Sequence, residues 1–378
     1  MTLKKIIIPF VVFSLFSCKS TTIESKDVAI SKAPKNVILL ISDGTGLSQI
    51  SSTFYFKDAV PNYTRFKNIG LINTSSSQQD VTDSAAGATA FACGVKTYNG
   101  AIGVADDSTS VKNLVEIAAL NHIKTGIIAT SSITHATPAC FLSHTFSRGS
   151  EEEIAFQVTQ SDVDFFAGGG LKYFNKRKDG QDLLATLKEK QFNMNTTELG
   201  GFSTIKSSKK AGFLLNKEAM PTMEAGRGDF LSKATQLGIQ FLSKDNDGFF
   251  IMSEGSQIDW GGHSNNASYL ISEINDFDDT IGKVLDFAEK DGNTLVIVTS
   301  DHETGGFTLA AKKKKRANGS EYSDYSEIGP TFSTGGHSAT LIPVFAYGPG
   351  SEEFTGIYEN NAIFEKILKV TSWKNLSK

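Results

Sequence analysis

Cysteine, proline and arginine are scarce in this sequence: its 378 residues include three Cys, eight Pro and five Arg, against 32 Lys. Three cysteines are too few for the disulfide framework of a small secreted domain. No apolar run reaches the roughly 20 residues that a membrane-spanning helix needs. The formal net charge of -4 indicates no nucleic-acid-binding face. The hydrophobic content of 39% is enough for one large α/β domain or two smaller ones.

The N-terminal segment is predicted to contain an export signal and a tether. Two lysines precede the apolar run Ile6–Phe16, which is typical of a signal peptide over residues 1–17. Leu15–Cys18 is similar to a bacterial lipoprotein processing box, so Cys18 would carry the lipid; a plain secretory signal is the alternative. Residues 18–35 are a polar tether. The chain would then be exported, and either periplasmic or held at the outer membrane through this lipid alone.

Two cysteines remain in the mature chain, Cys93 and Cys140. Export permits a bridge between them, but both lie in apolar helical surroundings, which favour buried free thiols. We therefore assign them no chemistry.

Five apolar runs predict buried strands of an α/β sheet, and each run borders polar residues. The runs are Asn36–Ser42, Lys124–Thr130, Phe249–Met252, Thr294–Thr299 and Leu341–Tyr347. The bordering residues are Asp43, the segment Ser131–Pro138, Glu254, Asp259, His263, Asp301, His302 and His337. Any one of them alone would be a solvated charge or a helix-start histidine. Because ligands bind at the carboxyl ends of parallel strands, the repetition predicts a single site.

Two further segments are predicted to lie outside the sheet. Residues from about 165 to 225, rich in Lys and Asn, predict a peripheral excursion within a single domain, 36–378. The basic run Lys312–Arg316, followed by Asn318 and Gly319, predicts an exposed hairpin over about 312–330.

Ser84 precedes a run of small residues that predicts a tightly packed helix. Asp83 or Thr82 suits the N-cap, which would place the Ser84 hydroxyl and free backbone N–H groups where an anion binds. Small-residue helices are also common for packing alone. Together with the strand-end residues, however, Ser84 becomes the best nucleophile candidate.

Seven short motifs, in matching order and nearly matching spacing, resemble the alkaline phosphatase family. They are Asp43-Gly44, Asp83-Ser84-Ala85, His135-Ala136-Thr137-Pro138, Ser147-Arg148, Glu254–Asp259 with His263, Asp301-His302 and Gly336-His337. Each motif alone is weak, but the series, from about Asn36 to Pro349, is highly specific. The resemblance implies a three-layer αβα sandwich with a large, mostly parallel sheet, and a hydrolase of small phosphate monoesters. The low Arg and Pro counts agree with a cold-adapted branch without establishing it.

The resemblance also implies two Zn²⁺ ions and one Mg²⁺ ion, held by three sets of ligands. The sets are Asp259, His263 and His337 for one zinc; Asp43, Asp301 and His302 for the other, with Ser84 as its exchangeable ligand; and Asp43, Thr137 and Glu254 for magnesium. The residue types agree with this division. Zinc takes imidazole and carboxylate, whereas hydroxyl and carboxylate oxygens suit a hard ion that keeps its waters.

In the implied reaction, Ser84 with a zinc-lowered hydroxyl pKa attacks phosphorus in line, and zinc-bound water hydrolyses the resulting phosphoserine. Arg148 would neutralise the phosphate oxygens with its planar fork, and Asp83 would orient that fork. An ordinary surface arginine is the alternative interpretation of Arg148.

The sequence departs from the best-known bacterial pattern at His135 and Trp260, where family members commonly carry Asp and Lys. A neutral imidazole supplies less negative charge than a carboxylate, so we expect weaker magnesium retention and partial zinc occupancy at the third site. Trp260 replaces a cation that would hold phosphate through water, so we expect weaker product binding and faster release.

Two other functions stay open on the sequence alone. A related hydrolase of phosphodiesters or sulfate esters is disfavoured, because Arg148, Thr137 and Glu254 suit a dianionic phosphate and a third metal. No Cys-x-Pro-x-Arg motif occurs either. A lipid-anchored binding protein without turnover is disfavoured, because Ser84 would be dispensable. The physiological substrate and the formation of a homodimer are left undecided.

Overall fold

A ten-stranded sheet runs through the computed structural model, which describes residues 33–244 and 247–375. The strands of the protein are β1 (Asn36–Ser42), β2 (Asn68–Asn73), β3 (Lys124–Ser132), β4 (Phe165–Gly169), β5 (Phe192–Asn195), β6 (Lys210–Leu214), β7 (Phe249–Gly255), β8 (Thr294–Thr299), β9 (Glu303–Thr304), β10 (Thr308–Lys315), β11 (Glu321–Thr331), β12 (His337–Ser338), β13 (Ile342–Tyr347) and β14 (Gly356–Glu359). The predicted signal peptide, Cys18 and the tether up to residue 32 lie outside the described residues.

Twelve α-helices occur in the described ranges, and none of them is long and apolar enough to cross a membrane. The helices are α1 (Leu47–Phe56), α2 (Ser84–Cys93), α3 (Leu114–Leu120), α4 (Ala136–Cys140), α5 (Glu151–Gln160), α6 (Leu171–Asn175), α7 (Leu183–Glu189), α8 (Phe202–Ile205), α9 (Phe230–Leu242), α10 (Gln257–His263), α11 (Ala267–Asp291) and α12 (Ala362–Thr371). Short 3₁₀ helices span Asn62–Arg65 and Ser351–Phe354.

The central sheet is parallel except for one strand. Its order is β14-β2-β13-β8-β1-β7-β3-β4-β6-β5, and β13 is antiparallel to both of its neighbours. Successive side chains of a strand point to opposite faces. Along β1, Val37, Leu39 and Ile41 pack into one hydrophobic core, whereas Ile38 and Leu40 pack into the other. Helices α2, α3, α5 and α12 contribute to the first core and α1, α9 and α11 to the second, which makes the three layers predicted.

Three strands differ in detail from their predictions. β7 continues to Gly255, so Glu254 lies inside the strand rather than after it. β3 likewise continues to Ser132. β13 begins at Ile342 and is antiparallel to β8. An antiparallel strand begins at the edge where its neighbour ends, so the start of β13 still meets the carboxyl ends of the parallel strands.

Residues from about 165 to 225 extend the sheet instead of leaving it. β4 pairs in parallel with β3, and β6 and β5 complete this end of the sheet. The prediction of a peripheral excursion is wrong for these strands. They have four or five residues each and are embedded in polar sequence, so their burial is decided by packing rather than by local pattern.

Two smaller strand pairs follow β8. β10 and β11 form a mostly exposed antiparallel hairpin, with Asn318 and Gly319 between them. β9 and β12 form a two-residue ribbon that pairs Thr304 with His337. This ribbon holds His337 at the carboxyl edge of the sheet. In the cores, Cys93 and Cys140 are buried and unpaired, as predicted.

Candidate active site

The acidic residues of three adjacent central strands lie at one level of the sheet. Ile41 of β1 lies opposite Glu254 of β7 and Thr299 of β8. Asp43 and Asp301 each come two residues later in the chain, just after the ends of β1 and β8. Since the strands are parallel, the three carboxylates meet at the carboxyl edge, and all three are fully buried.

Asp259, His263 and His337 form the first of three groups in which one ligand atom per residue lies within 4.8 Å of the others. The two Nε2 atoms of His263 and His337 are 3.1 Å apart. The Nδ1 atom of His263 lies 2.8 Å from the carbonyl oxygen of Gly335, and that of His337 lies 2.8 Å from the carbonyl oxygen of Thr82. These contacts leave both Nε2 atoms directed at a common point, as in metal sites.

Asp43, Asp301 and His302 form the second group. The Nε2 atom of His302 lies 3.2 Å from Asp301 Oδ2 and 3.7 Å from Asp43 Oδ1. The Ser84 hydroxyl lies 3.3 Å from the same nitrogen. The structure thus places Ser84 where the resemblance implies an exchangeable ligand.

Asp43 also belongs to the third group, with His135 and Glu254. Thr137 lies on α4, which begins directly after His135. One Glu254 oxygen, Oε2, accepts a 2.6 Å hydrogen bond from Ser256 Oγ, whereas Oε1 has no hydrogen-bond partner among the residues that the structure describes. The same holds for the buried Thr137 hydroxyl within these described ranges. His135 therefore joins the candidate ligands of the third site, where the sequence placed it only as a neighbour.

The electrostatics of the three groups call for cations. Both oxygens of Asp43 and Oδ2 of Asp301 are buried without a hydrogen-bond partner in the described structure. Burial, reinforced by the neighbouring carboxylates, raises the pKa of Asp43 well above its usual value, and burial raises that of Glu254 to about 7. Burial lowers the pKa of His302 and of His135 to about 3, which keeps both imidazoles neutral. Crowded carboxylates beside neutral imidazoles are a donor set that fits divalent metals.

Ser84 is the first residue of α2, and Asp83 is its N-cap. Asp83 Oδ1 accepts a 3.0 Å hydrogen bond from the backbone N–H of Ala86, and Oδ2 accepts one of 3.0 Å from Arg148 Nη1. Burial lowers the pKa of Arg148 but the Asp83 carboxylate raises it, with a net increase, so the guanidinium stays charged. One aspartate therefore both caps the helix and holds the arginine near Ser84.

His135 and Trp260 lie on the other side of this arginine. Arg148 Nη2 is 3.4 Å from His135 Nε2. The half-buried Trp260 ring meets the His135 ring edge to face, with 5.9 Å between the centroids. The two positions that depart from the family pattern are thus in contact with each other.

Two residues that hold the candidate ligands in place were not predicted from the sequence. Thr304 Oγ1 donates a 2.5 Å hydrogen bond to Asp259 Oδ1 and lies 3.2 Å from His302 Nδ1, so it links the first two groups. Ser256 Oγ likewise holds Glu254 in place by donating a hydrogen bond to its Oε2 atom. Serine and threonine are common residues, so their presence in a sequence does not by itself indicate a role in a site. The only indication for Ser256 and Thr304 was that they lie close to the motifs in the sequence.

A buried serine at a helix N-terminus, an arginine beside it and three groups of metal-ligating side chains define a metal-binding hydrolase. The family model for alkaline phosphatase matches residues 34–316. Alkaline phosphatase 3 of Bacillus subtilis is 33% identical over 423 aligned residues, which cover 90% of this chain and 89% of that protein. The chain belongs to the alkaline phosphatase family, and it is a phosphoric monoester hydrolase.

Solved structures agree with this assignment. The alkaline phosphatase of the Antarctic bacterium TAB5 is 76% identical, with a TM-score of 0.90, over 91% of this chain and 100% of that chain. The His 135 Asp mutant of TAB5 alkaline phosphatase, with Mg bound in the M3 site, is 78% identical, with a TM-score of 0.91 over the same shares. The resemblance to a cold-adapted branch is thereby confirmed.

Proposed function

We propose that the protein hydrolyses phosphate monoesters through a phosphoserine at Ser84, with two Zn²⁺ ions and one Mg²⁺ ion. The observation that carries this proposal is the position of the Ser84 hydroxyl. It is buried, lies at the N-terminus of α2 and reaches within 3.3 Å of His302 Nε2. A serine that served only to pack α2 would need no such neighbour.

The ligand groups divide by chemistry. The first two groups contain all three of His263, His302 and His337 and suit Zn²⁺, whereas the hydroxyl of Thr137 and the carboxylate of Glu254 suit Mg²⁺. Mg in the M3 site of a TAB5 mutant that carries Asp in place of a histidine supports a metal site there, whereas this chain keeps His135 among its candidate ligands. When bound, the ions supply positive charge that favours ionised oxygen on the nucleophile and on the leaving group.

The reaction uses the protein groups as follows. Ser84 Oγ gives up its proton and forms a bond to phosphorus, while the ester P–O bond breaks and the departing oxygen keeps the electron pair and takes up a proton to become the alcohol. The Arg148 fork, held by Asp83, binds two phosphate oxygens as negative charge shifts during transfer. Water then forms a bond to phosphorus, the bond between phosphorus and Ser84 Oγ breaks, and a proton from the water returns to Oγ as phosphate is released.

The test of the proposal combines trapping with metal analysis. When the reaction with an aryl phosphate that carries a radiolabelled phosphoryl group is quenched with acid, we expect the label on Ser84. In a separate measurement, Ser84→Ala is expected to lower turnover by more than about a thousandfold. Zinc and magnesium content should stay unchanged, because Ser84 completes neither fixed ligand set. Unlabelled protein together with an active Ser84→Ala variant would contradict the covalent route.

An aryl phosphodiester serves as the comparison substrate. Arg148, Thr137 and Glu254 suit a dianionic phosphate and a third metal, so we expect the monoester to be hydrolysed at least about a hundredfold faster. Faster cleavage of the diester would favour the related phosphodiesterase instead.

We also propose that the chain is exported and held at a membrane by a lipid on Cys18. The sequence of residues 1–18 supports this proposal, with the plain secretory signal as the alternative.

A further inference from the structure

A cavity of about 490 Å³ lies next to the candidate active site. His135 and Trp260, which line it, also belong to the surroundings of the phosphate-binding arginine. His135, whose Nε2 atom lies 3.4 Å from Arg148 Nη2, is therefore shared by the cavity wall and the surroundings of the proposed Arg148 clamp. A substrate whose phosphate lies on Arg148 can extend its alcohol part into this space.

Apolar and aromatic side chains form about half of the cavity wall. Tyr173, Met220, Trp260 and Tyr269 all line it, and all four are half-buried. Three rings and a flexible thioether around one space form a typical environment for a planar aromatic group, which each ring can contact by its face or edge.

Two polar side chains of the wall, Gln257 and Tyr269, are held by hydrogen bonds to each other and to neighbouring backbone. Gln257 donates to the carbonyl oxygens of Thr130 and Met220, at 3.0 and 2.8 Å, and accepts a 2.8 Å hydrogen bond from the Tyr269 hydroxyl. The Met220 N–H donates to the same Thr130 oxygen at 3.0 Å. These bonds fix Met220 and Tyr269 in position, so the cavity is formed before any ligand arrives.

Charge at the cavity rim favours a neutral occupant. Glu151 accepts hydrogen bonds of 2.7 Å from both Thr134 and the Tyr173 hydroxyl, and Glu218 pairs with Lys172 at 2.9 Å. Both carboxylates are thereby held at the wall, where they would repel a second anionic group on the substrate.

We propose that this cavity binds the planar aromatic part of a phosphate monoester, such as the base of a nucleoside 5′-monophosphate, among Tyr173, Trp260 and Tyr269. The proposal rests on the proposed function, because it concerns the alcohol part of the substrate for that reaction.

Adenosine 5′-monophosphate and ribose 5-phosphate make the matched pair of substrates. Both release a primary alcohol of ribose, so they differ in the base and not in the bond that breaks. We expect kcat/KM for the nucleotide to exceed that for the sugar phosphate by about tenfold, as stacked bases typically contribute. A ratio near one in the unmutated protein would overturn the proposal.

Variants of Tyr269 test the ring itself. Tyr269→Ala is expected to bring the ratio close to one by lowering kcat/KM for the nucleotide alone, whereas Tyr269→Phe keeps the ring and the ratio. Tyr325→Ala removes a tyrosine that is 90% exposed on β11 and should change neither value. An equal loss for both substrates in Tyr269→Ala, repeated in Tyr269→Phe, would show a purely structural role and overturn the proposal.

A binding measurement separates this proposal from the proposed function. In the Trp373→Phe variant, Trp260 is the remaining tryptophan. We expect adenosine to quench the fluorescence of Trp260 in a saturable manner. This binding signal does not depend on whether the protein hydrolyses any phosphate ester. If neither substrate is hydrolysed but adenosine quenches, the proposed function fails and the cavity assignment holds. Absence of quenching would overturn the cavity assignment.

Discussion

His135 brings a neutral donor to a site otherwise built from carboxylates and a hydroxyl. Its Nδ1 atom is buried without a hydrogen-bond partner in the described structure, and the Arg148 guanidinium lies beside Nε2. Burial and, to a lesser extent, Arg148 lower the pKa of His135 to about 3, so the imidazole is neutral at neutral pH. It therefore supplies no negative charge to balance a divalent cation. The charge of the third site is therefore set in part by this residue.

Replacing His135 by aspartate should strengthen magnesium binding. His135→Asp adds a carboxylate to the group of Asp43 and Glu254, and affinity for hard ions rises with the count of charged oxygen ligands. We expect magnesium affinity to rise by about tenfold or more, measured by titration of metal-depleted protein. His122→Asp, at an exposed position outside the three ligand groups, is the control. Equal magnesium affinity in His135→Asp and the unmutated protein would contradict this role.

Trp260 offers a test of product release. Its ring contacts His135, which lies beside Arg148, so a lysine at this position would bring a cation toward bound phosphate. We expect Trp260→Lys to tighten inhibition by inorganic phosphate by about 1 to 3 kcal/mol, the value of a charge-assisted hydrogen bond. Trp260→Phe keeps a ring without the charge and should leave the inhibition constant close to its original value. An unchanged constant in Trp260→Lys would place the side chain wholly in the neighbouring cavity.

At the scale of elements, the segment between β6 and α9 is fastened to α11 by a buried arginine. Arg227 donates to both oxygens of Glu273 and, at 2.8 Å, to Asp276. The side chains of all three residues are at most 4% exposed. Two carboxylates thus share one guanidinium in a dry environment. The same segment carries Met220, which lines the cavity beside the active site.

Removing this arginine should destabilise the fold strongly. Arg227→Met leaves two buried carboxylates without their cation, a change that typically costs about 3 to 5 kcal/mol. The matched control is Arg65→Met. Arg65 pairs with Asp286 and Glu289 on the same helix, but its side chain is 25% exposed, so we expect less than about 1 kcal/mol. Denaturant unfolding of both variants would decide, and equal effects would contradict the argument.

Asp276 should make stability depend on pH. Burial raises its pKa to about 6, with Arg227 acting in the opposite direction. The pKa of this carboxyl is higher in the folded than in the unfolded protein. Its contribution to the free energy of unfolding is therefore fully present below the unfolded pKa of 3.8 and is lost as pH rises through about 6. Asp276→Asn lacks this loss, so its Tm should fall less between pH 5 and pH 8, by about 2 to 4 °C. Parallel Tm profiles for the two proteins would refute the assignment.

At the scale of the whole molecule, the lipid anchor is predicted to be separable from catalysis. Cys18 precedes β1 by a polar tether, so Cys18→Ala should release the protein from the membrane fraction with unchanged kcat/KM. Cys93→Ala, at a buried free cysteine, is the control and should stay with the membrane. Detergent-free extraction of the unmutated protein from its host would show that no anchor is present.

Part of the structure could be predicted from the sequence because it depends on contacts between residues that are close in the chain. The central strands are continuous apolar runs because a parallel sheet buries both faces of each strand, and their ends were therefore visible in the sequence. The Ser84 helix start was visible for a similar reason, since Asp83 caps it through a contact only three residues long, to Ala86. Motif residues such as Asp301 and His302 lie beside these ends, so their convergence could be predicted.

The rest was decided by contacts between residues far apart in the chain. Ser84 and His302 are 218 positions apart, and Thr304 reaches across 45 positions to Asp259. Strands β4, β5 and β6 are short and lie in polar surroundings, so the local sequence does not predict that they belong to the sheet. Packing alone places them there. The sequence by itself determined the ligand types and the central strands, because these depend on local side-chain chemistry. The addition of His135 to the third group and the aromatic cavity around Tyr269 depend on long-range packing, so only the tertiary structure decided them.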